Sequence, residues 1–226
     1  PMNYKPLIAE FVATFTFVFI GVGAIAMDFI TNGSVGLTGI AIAHGLAIAV
    51  MVGAIGAVSG GHINPAITIG FLTIGRIDIK TAGGYIISQC LGAVFAAFLI
   101  KQCIPAEALT AVKMGTPAVS DLASVTVSMA LITEIILTFI LMFVIYGTAV
   151  DKRAPKFGAL LIGMTVALDT FMGGPISGAA MNPARHLGPA LMGGGLENTW
   201  IYWVGPIIGS VLAAMLYHHI LAEKDV

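Results

Sequence analysis

Charge is what this chain has least of. Of its 226 residues only 9% are Asp, Glu, Lys or Arg, while 58% are hydrophobic. A soluble domain carries about 25% charged residues, so an ordinary water-facing globule is excluded and the composition points to a polytopic helical membrane protein. The formal net charge is −1, which offers no basic surface for a nucleic acid, and no such partner is expected. Cysteine is scarce as well. Cys90 and Cys103 are the two present; both sit at or inside apolar stretches, where a thiol acts as a small core residue. No metal site and no cofactor is expected. The first apolar run is long enough to span a membrane and lacks a cleavage-site pattern, so no cleavable signal peptide is expected.

What the chain does have is a motif and its twin. Ser59-Gly60-Gly61-His62-Ile63-Asn64-Pro65-Ala66 is matched by Ser177-Gly178-Ala179-Ala180-Met181-Asn182-Pro183-Ala184-Arg185. Each is a glycine-containing turn, then Asn-Pro-Ala, then a short apolar run. Asn before Pro begins a helix: the Asn caps, and Pro stands first, where its missing N–H costs nothing. The runs from Asn64 to Thr73 and from Asn182 to Met192 predict about 15 Å of helix each. That is half of the ~30 Å hydrocarbon core. A single Asn-Pro-Ala is an ordinary helix start. Two, one in each half of an apolar chain, predict half-helices entering from opposite faces with their N-termini meeting in the middle.

The rest of the chain fits that plan. Leu7 to Met27 is apolar but for Glu10 and makes a first span; Leu37 to Val58 makes a second, rich in small residues that let helix backbones approach. After the first half-helix come a loop with Arg76, Asp78 and Lys80 and a third span, Ala82 to Ile100. The second half repeats this with Val125 to Thr148 carrying Glu134, Phe157 to about Met172, the second half-helix, and Ile201 to Leu221. Tyr85, Gly92 and Ala97 recur at the same spacing as Tyr202, Gly209 and Ala214. The chain therefore reads as one transmembrane domain over 1–226, with repeats at about 7–104 and 125–221 joined by 105–124. Three spans per repeat is odd, so the repeats are inverted in the membrane, as in transporters and channels. Lys5, Arg76, Lys80, Lys152, Arg153, Lys156 and Lys224 fall on one side of this topology, and Lys101 and Lys113 on the other. The positive-inside rule makes the first side, with both termini, cytoplasmic. The expected location is the cell membrane.

The paired motifs, with Tyr202-Trp203-Val204-Gly205-Pro206 opening the last span, resemble the aquaporin (major intrinsic protein) family over essentially the whole chain. The resemblance implies an all-α bundle of six tilted helices and two half-helices, a pore in each protomer, a homotetramer in the lipid bilayer, and passage of water and small neutral solutes. Aquaporin-type pores are known to select by diameter, lining donors and half-helix dipoles. On that pattern Asn64, Pro65, Ala66 and Asn182, Pro183, Ala184 form the pore midplane, with the asparagine NH2 groups as donors into it. Arg185, His44, Thr170 and Ala179 take the outer constriction positions. Strict water channels carry an aromatic ring, a histidine and a cysteine or threonine there beside the arginine. His44 with Ala179 looks more like the plant tonoplast intrinsic proteins, while Thr170 departs from that subgroup too. Glycerol facilitators have an acid after the arginine, where this chain has His186.

Glu10 and Glu134 are single acids at equivalent places in the two repeats. Buried carboxylates need partners, and the resemblance implies that these support the half-helix loops. His62 is expected to face the cytoplasmic vestibule. The competing class is a proton- or ion-coupled transporter of inverted-repeat type, using Glu10, Glu134 and Asp169. An enzyme fits poorly, because His44 and Ser59 form no nucleophile–base–orienter pattern; no catalytic residue is expected.

Overall fold

The computed structural model describes residues 3–223, and among these every regular element is a helix; Lys224, used above for sidedness, lies outside them. In chain order the helices are α1 (Tyr4–Ile30), α2 (Gly36–Ser59), α3 (Pro65–Thr73), α4 (Ile79–Cys103), α5 (Ala106–Ala111), α6 (Val127–Ile145), α7 (Gly158–Ser177), α8 (Pro183–Gly193) and α9 (Ile201–Leu216). Short π-helical turns, Tyr146–Val150 and Tyr217–Leu221, prolong α6 and α9. Among the described residues six helices are long and apolar enough to cross a membrane: α1, α2, α4, α6, α7 and α9, α6 and α9 being taken with their π turns.

Capping explains where several helices begin. Asn3 accepts from the Lys5 N–H and starts α1 ahead of the apolar run; Asp78 accepts from Lys80 and Thr81, and Thr126 from Met129. The end of α7 lies beyond the Met172 that the sequence predicts. Pro175 sits in its last turn, where a missing N–H costs one hydrogen bond rather than the helix. The Ile176 carbonyl at that end is taken by the Ser120 N–H at 2.9 Å. The 105–124 connection is more than a link: it holds α5 and a turn in which Lys113, Met114 and Gly115 all have positive φ.

The two repeats interlock. α1 packs on α2 and α4, α6 packs on α7 and α9, and α2 crosses α7. α3 lies against α9 and α8 against α4, so each half-helix rests on the last span of the other repeat. The α2–α7 crossing is a backbone contact. A Cβ on Gly45 would lie 2.5 Å from the Gly163 carbonyl oxygen, and one on Gly163 would strike the Gly45 carbonyl. Small residues at such crossings let helices approach in lipid, where burial of apolar surface gives no driving force.

Candidate channel site at the meeting of the half-helices

Asn64 and Asn182 have nearly the same extended backbone, with φ −153 in both. Each side-chain oxygen caps its own half-helix: Asn64 accepts from the Ala66 N–H at 2.9 Å, and Asn182 from Ala184 at 3.0 Å and Arg185 at 3.2 Å. The amide nitrogens reach across the molecule. Asn64 Nδ2 donates to the Met181 carbonyl at 2.7 Å, and Asn182 Nδ2 to the Ile63 carbonyl at 2.9 Å. This modifies the sequence expectation. One N–H of each amide ties the opposite loop, so one N–H per asparagine, not two, is left for the cavity both residues line.

The accepting residues sit in a costly conformation. Ile63 has φ 56 and Met181 φ 51, where a β-branched or bulky residue is an outlier and the strain is of order 1–3 kcal/mol. Two buried carboxylates hold them there. Glu10 accepts from Ser59 Oγ at 2.6 Å, the N–H groups of His62 at 2.9 Å and Ile63 at 2.6 Å, and Gln89 Nε2 at 2.8 Å. Glu134 accepts from Ser177 Oγ at 2.7 Å, Ala180 N–H at 2.9 Å and Met181 N–H at 2.7 Å. Tyr85 and Tyr202 complete the symmetry, donating to the carbonyls of Ser59 and Ser177. Each of these hydrogen-bond partners is a donor, and the backbone N–H groups among them tie both acids to the motif loops.

On the Arg185 side the chain brings His44, Thr170, Ala179 and Arg185 to one cavity of about 210 Å³. Arg185 is 2% exposed. Its Nη1 donates to the Gly115 carbonyl at 2.8 Å and its Nη2 lies 3.3 Å from His44 Nε2. His44 Nδ1 lies 2.8 Å from the Ile40 carbonyl, which only accepts, so the ring proton is on Nδ1 and Nε2 is an acceptor turned to Arg185. The Thr170 hydroxyl donates to its own helix at Val166. A second cavity, about 290 Å³, lies on the other side of the asparagines and is lined by His62, Ile63, Phe71 and Val166 among others. His62 Nδ1 is 3.1 Å from Thr68 Oγ1, and its ring packs between Phe71 and Tyr85.

Comparison with known proteins decides what this arrangement is. The major intrinsic protein family model matches residues 1–217. The chain belongs to the major intrinsic protein family. It is 43% identical to aquaporin TIP4-4 of Zea mays, over 94% of this chain and 85% of that one. It is 44% identical to aquaporin TIP4-1 of Arabidopsis thaliana, over 99% and 89%. Among solved structures, an aquaglyceroporin from Plasmodium falciparum superposes with a TM-score of 0.84 at 26% identity and covers 97% of both chains. Like other major intrinsic proteins, the chain is a passive channel for water and small solutes in a membrane and not an enzyme. The coupled-transporter alternative finds no support. Two of its three acids are the loop anchors; the third, Asp169, is buried with one oxygen lacking a protein partner.

Sequence reasoning allows a side chain from the Lys101 to Ser124 loop to fill the gap beside Thr170, but names no residue of that loop as part of the site. Gly115, Thr116 and Pro117 line the same cavity as Arg185, and Thr116 Oγ1 is buried there without a protein partner. The loop thus occupies part of the space beside the small Thr170. Neither cysteine is among the residues lining the two cavities; Cys90 is half-buried and Cys103 exposed. Mercurials are therefore expected to inhibit the parent protein little and Ala179→Cys strongly, read as water permeability before and after a thiol reductant. Strong reductant-reversible block of the parent would show that a native thiol reaches the pore.

Proposed function

We propose that the channel conducts water together with ammonia, hydrogen peroxide and urea, and excludes ions by three devices. The first is the pair of opposed half-helix N-termini, each carrying roughly half a positive elementary charge. The second is the free N–H of Asn64 and of Asn182. A water between them accepts twice through its oxygen and turns its own protons away from the centre. The third is the Arg185 charge at the outer constriction. The dipole and donor mechanism is carried over from aquaporin-type pores in general.

One observation carries the solute range: two of the four constriction positions are small, Thr170 and Ala179, and they line the same cavity as His44 and Arg185. The polar partner left for a solute is Arg185, which donates, because the His44 Nε2 lone pair is turned to Arg185. Solutes that accept hydrogen bonds fit this end of the cavity. Glycerol, which wants a broad apolar wall, does not. The reading extends to a homotetramer with both termini cytoplasmic, supported by the family and by the lysine and arginine distribution. The cell membrane is the proposed location, against the tonoplast setting that the TIP relatives suggest.

The test is stopped-flow permeability of reconstituted vesicles to water, ammonia, peroxide, urea and glycerol. Thr170→His is expected to lower passage of the larger solutes by about tenfold or more relative to water, on the scale by which a pocket one group too small rejects a ligand. A parent protein that conducts water and excludes all of these solutes would sink the proposal.

A further inference from the structure

His186 stands four residues after Asn182 and does not line either pore cavity. It is nevertheless fully buried, and both its ring nitrogens are engaged. Nδ1 lies 3.2 Å from the Pro117 carbonyl and Nε2 3.1 Å from Thr199 Oγ1. The ring stacks on Tyr202 with centroids 4.2 Å apart and planes 14° from parallel. A proline carbonyl only accepts, so Nδ1 carries the hydrogen. The Thr199 hydroxyl also reaches the Leu196 carbonyl at 2.6 Å. Its hydrogen therefore has a partner whether or not it turns to Nε2.

The loop that His186 holds is the one that holds Arg185. Gly115 and Pro117 are two residues apart, and their carbonyls are taken by two consecutive side chains of α8, Arg185 and His186. Lys113 and Met114, just before, have φ 48 and 56, a conformation that persists only where surrounding contacts impose it. Behind the loop, a Cβ on Gly178 would come within 2.6 Å of Pro117 Cα, so the backbone is pressed against the second motif.

Repeat symmetry sharpens the contrast. The counterpart of His186 is Thr68, four residues after Asn64, whose hydroxyl meets His62 and Gln89 inside its own repeat. Both halves place an imidazole against the tyrosine that binds the motif serine carbonyl: His62 on Tyr85, His186 on Tyr202. In the second half that imidazole also reaches the inter-repeat loop.

We infer that His186 is a positioning residue of the outer constriction: its Nδ1–H holds Pro117, and through it the Gly115 carbonyl, so that the Arg185 fork and the loop keep the opening narrow. This rests on the reading of Arg185 as the constriction. Without the Nδ1–H the stretch from Gly115 to Pro117 loses one of its anchors, the fork gains freedom, and larger solutes are discriminated less.

The experiment compares the urea-to-water permeability ratio of vesicles carrying the parent, His186→Phe, His186→Asn, His186→Gln and Arg185→Val. Phe keeps a ring on Tyr202 without an N–H; the Asn amide places its N–H near the Nδ1 position, and the Gln amide near Nε2. The ratio is expected to rise roughly fivefold in the Phe and Gln variants, the factor corresponding to one ordinary hydrogen bond, and to stay at the parent value in Asn. A raised ratio in Arg185→Val with parent values in Phe and Gln overturns the inference and leaves the constriction reading standing. An unchanged ratio in Arg185→Val removes that reading, and the inference with it. If the Phe variant is not recovered, equal ratios in Asn and Gln overturn the inference by themselves.

Discussion

Arg185→Val is expected to keep water flux and to admit protons and small cations. The guanidinium is buried against the cavity it lines, held by Gly115 and facing His44. Valine removes the charge and every donor of the fork at once. A unit charge about 6 Å from a passing cation, at an effective dielectric of about 20, raises its energy by about 3 kcal/mol. Lifting that barrier corresponds to roughly a hundredfold in passage rate. The opposed half-helices still stand at the midplane, so a leak rather than full proton conduction is expected. His44 Nε2 meanwhile loses its donor neighbour and becomes free to accept from a solute. The measurement is the decay of an imposed pH gradient, followed by a trapped fluorescent indicator in vesicles. A decay equal to that of the parent would argue that Arg185 does not line the path.

How far the sequence reaches can be judged from the same residues. The half-helices were legible because Asn-Pro is a local signal with a local cause: a cap followed by a residue that needs no N–H. The spans were legible because apolar length is a one-dimensional property. Helix ends were less so. α1 begins at Tyr4, because Asn3 caps it outside the apolar run, and α7 continues through Pro175 to Ser177. The contribution of the 105–124 loop was hidden for a different reason. Gly115 and Pro117 act through backbone carbonyls, which every residue carries, so no residue type marks them. The same holds for the carbonyls of Ile63 and Met181, which take one N–H from each asparagine. The tautomer of His44 was also out of reach, since it depends on a neighbour within its own helix, Ile40. Side-chain identity announces what a group can do, while commitment to a partner is decided in three dimensions.

The commitment with the largest structural consequence is that of Glu134. Glu134→Ala is expected to lower the melting temperature steeply and to reduce the yield of monodisperse protein in detergent, as followed by size-exclusion chromatography after stepwise heating. The carboxylate is fully buried and takes three donors: Ser177 Oγ and the N–H groups of Ala180 and Met181. Alanine leaves the two backbone donors buried without that acceptor, at about 1–3 kcal/mol each. The two donors together make about 2–6 kcal/mol, a large share of a typical 5–15 kcal/mol stability. Glu134→Gln should fall between. It keeps the shape and one acceptor oxygen, but turns an NH2 group toward donors and leaves one of them unsatisfied. Function is expected to fall with stability. Met181 at φ 51 is held by this carboxylate, and once released it withdraws its carbonyl from Asn64. That frees the amide to turn and opens the junction of the two half-helices. Glu134→Ala protein that melts at the parent temperature and conducts water at the parent rate would show that the motif loop holds its shape without the acid.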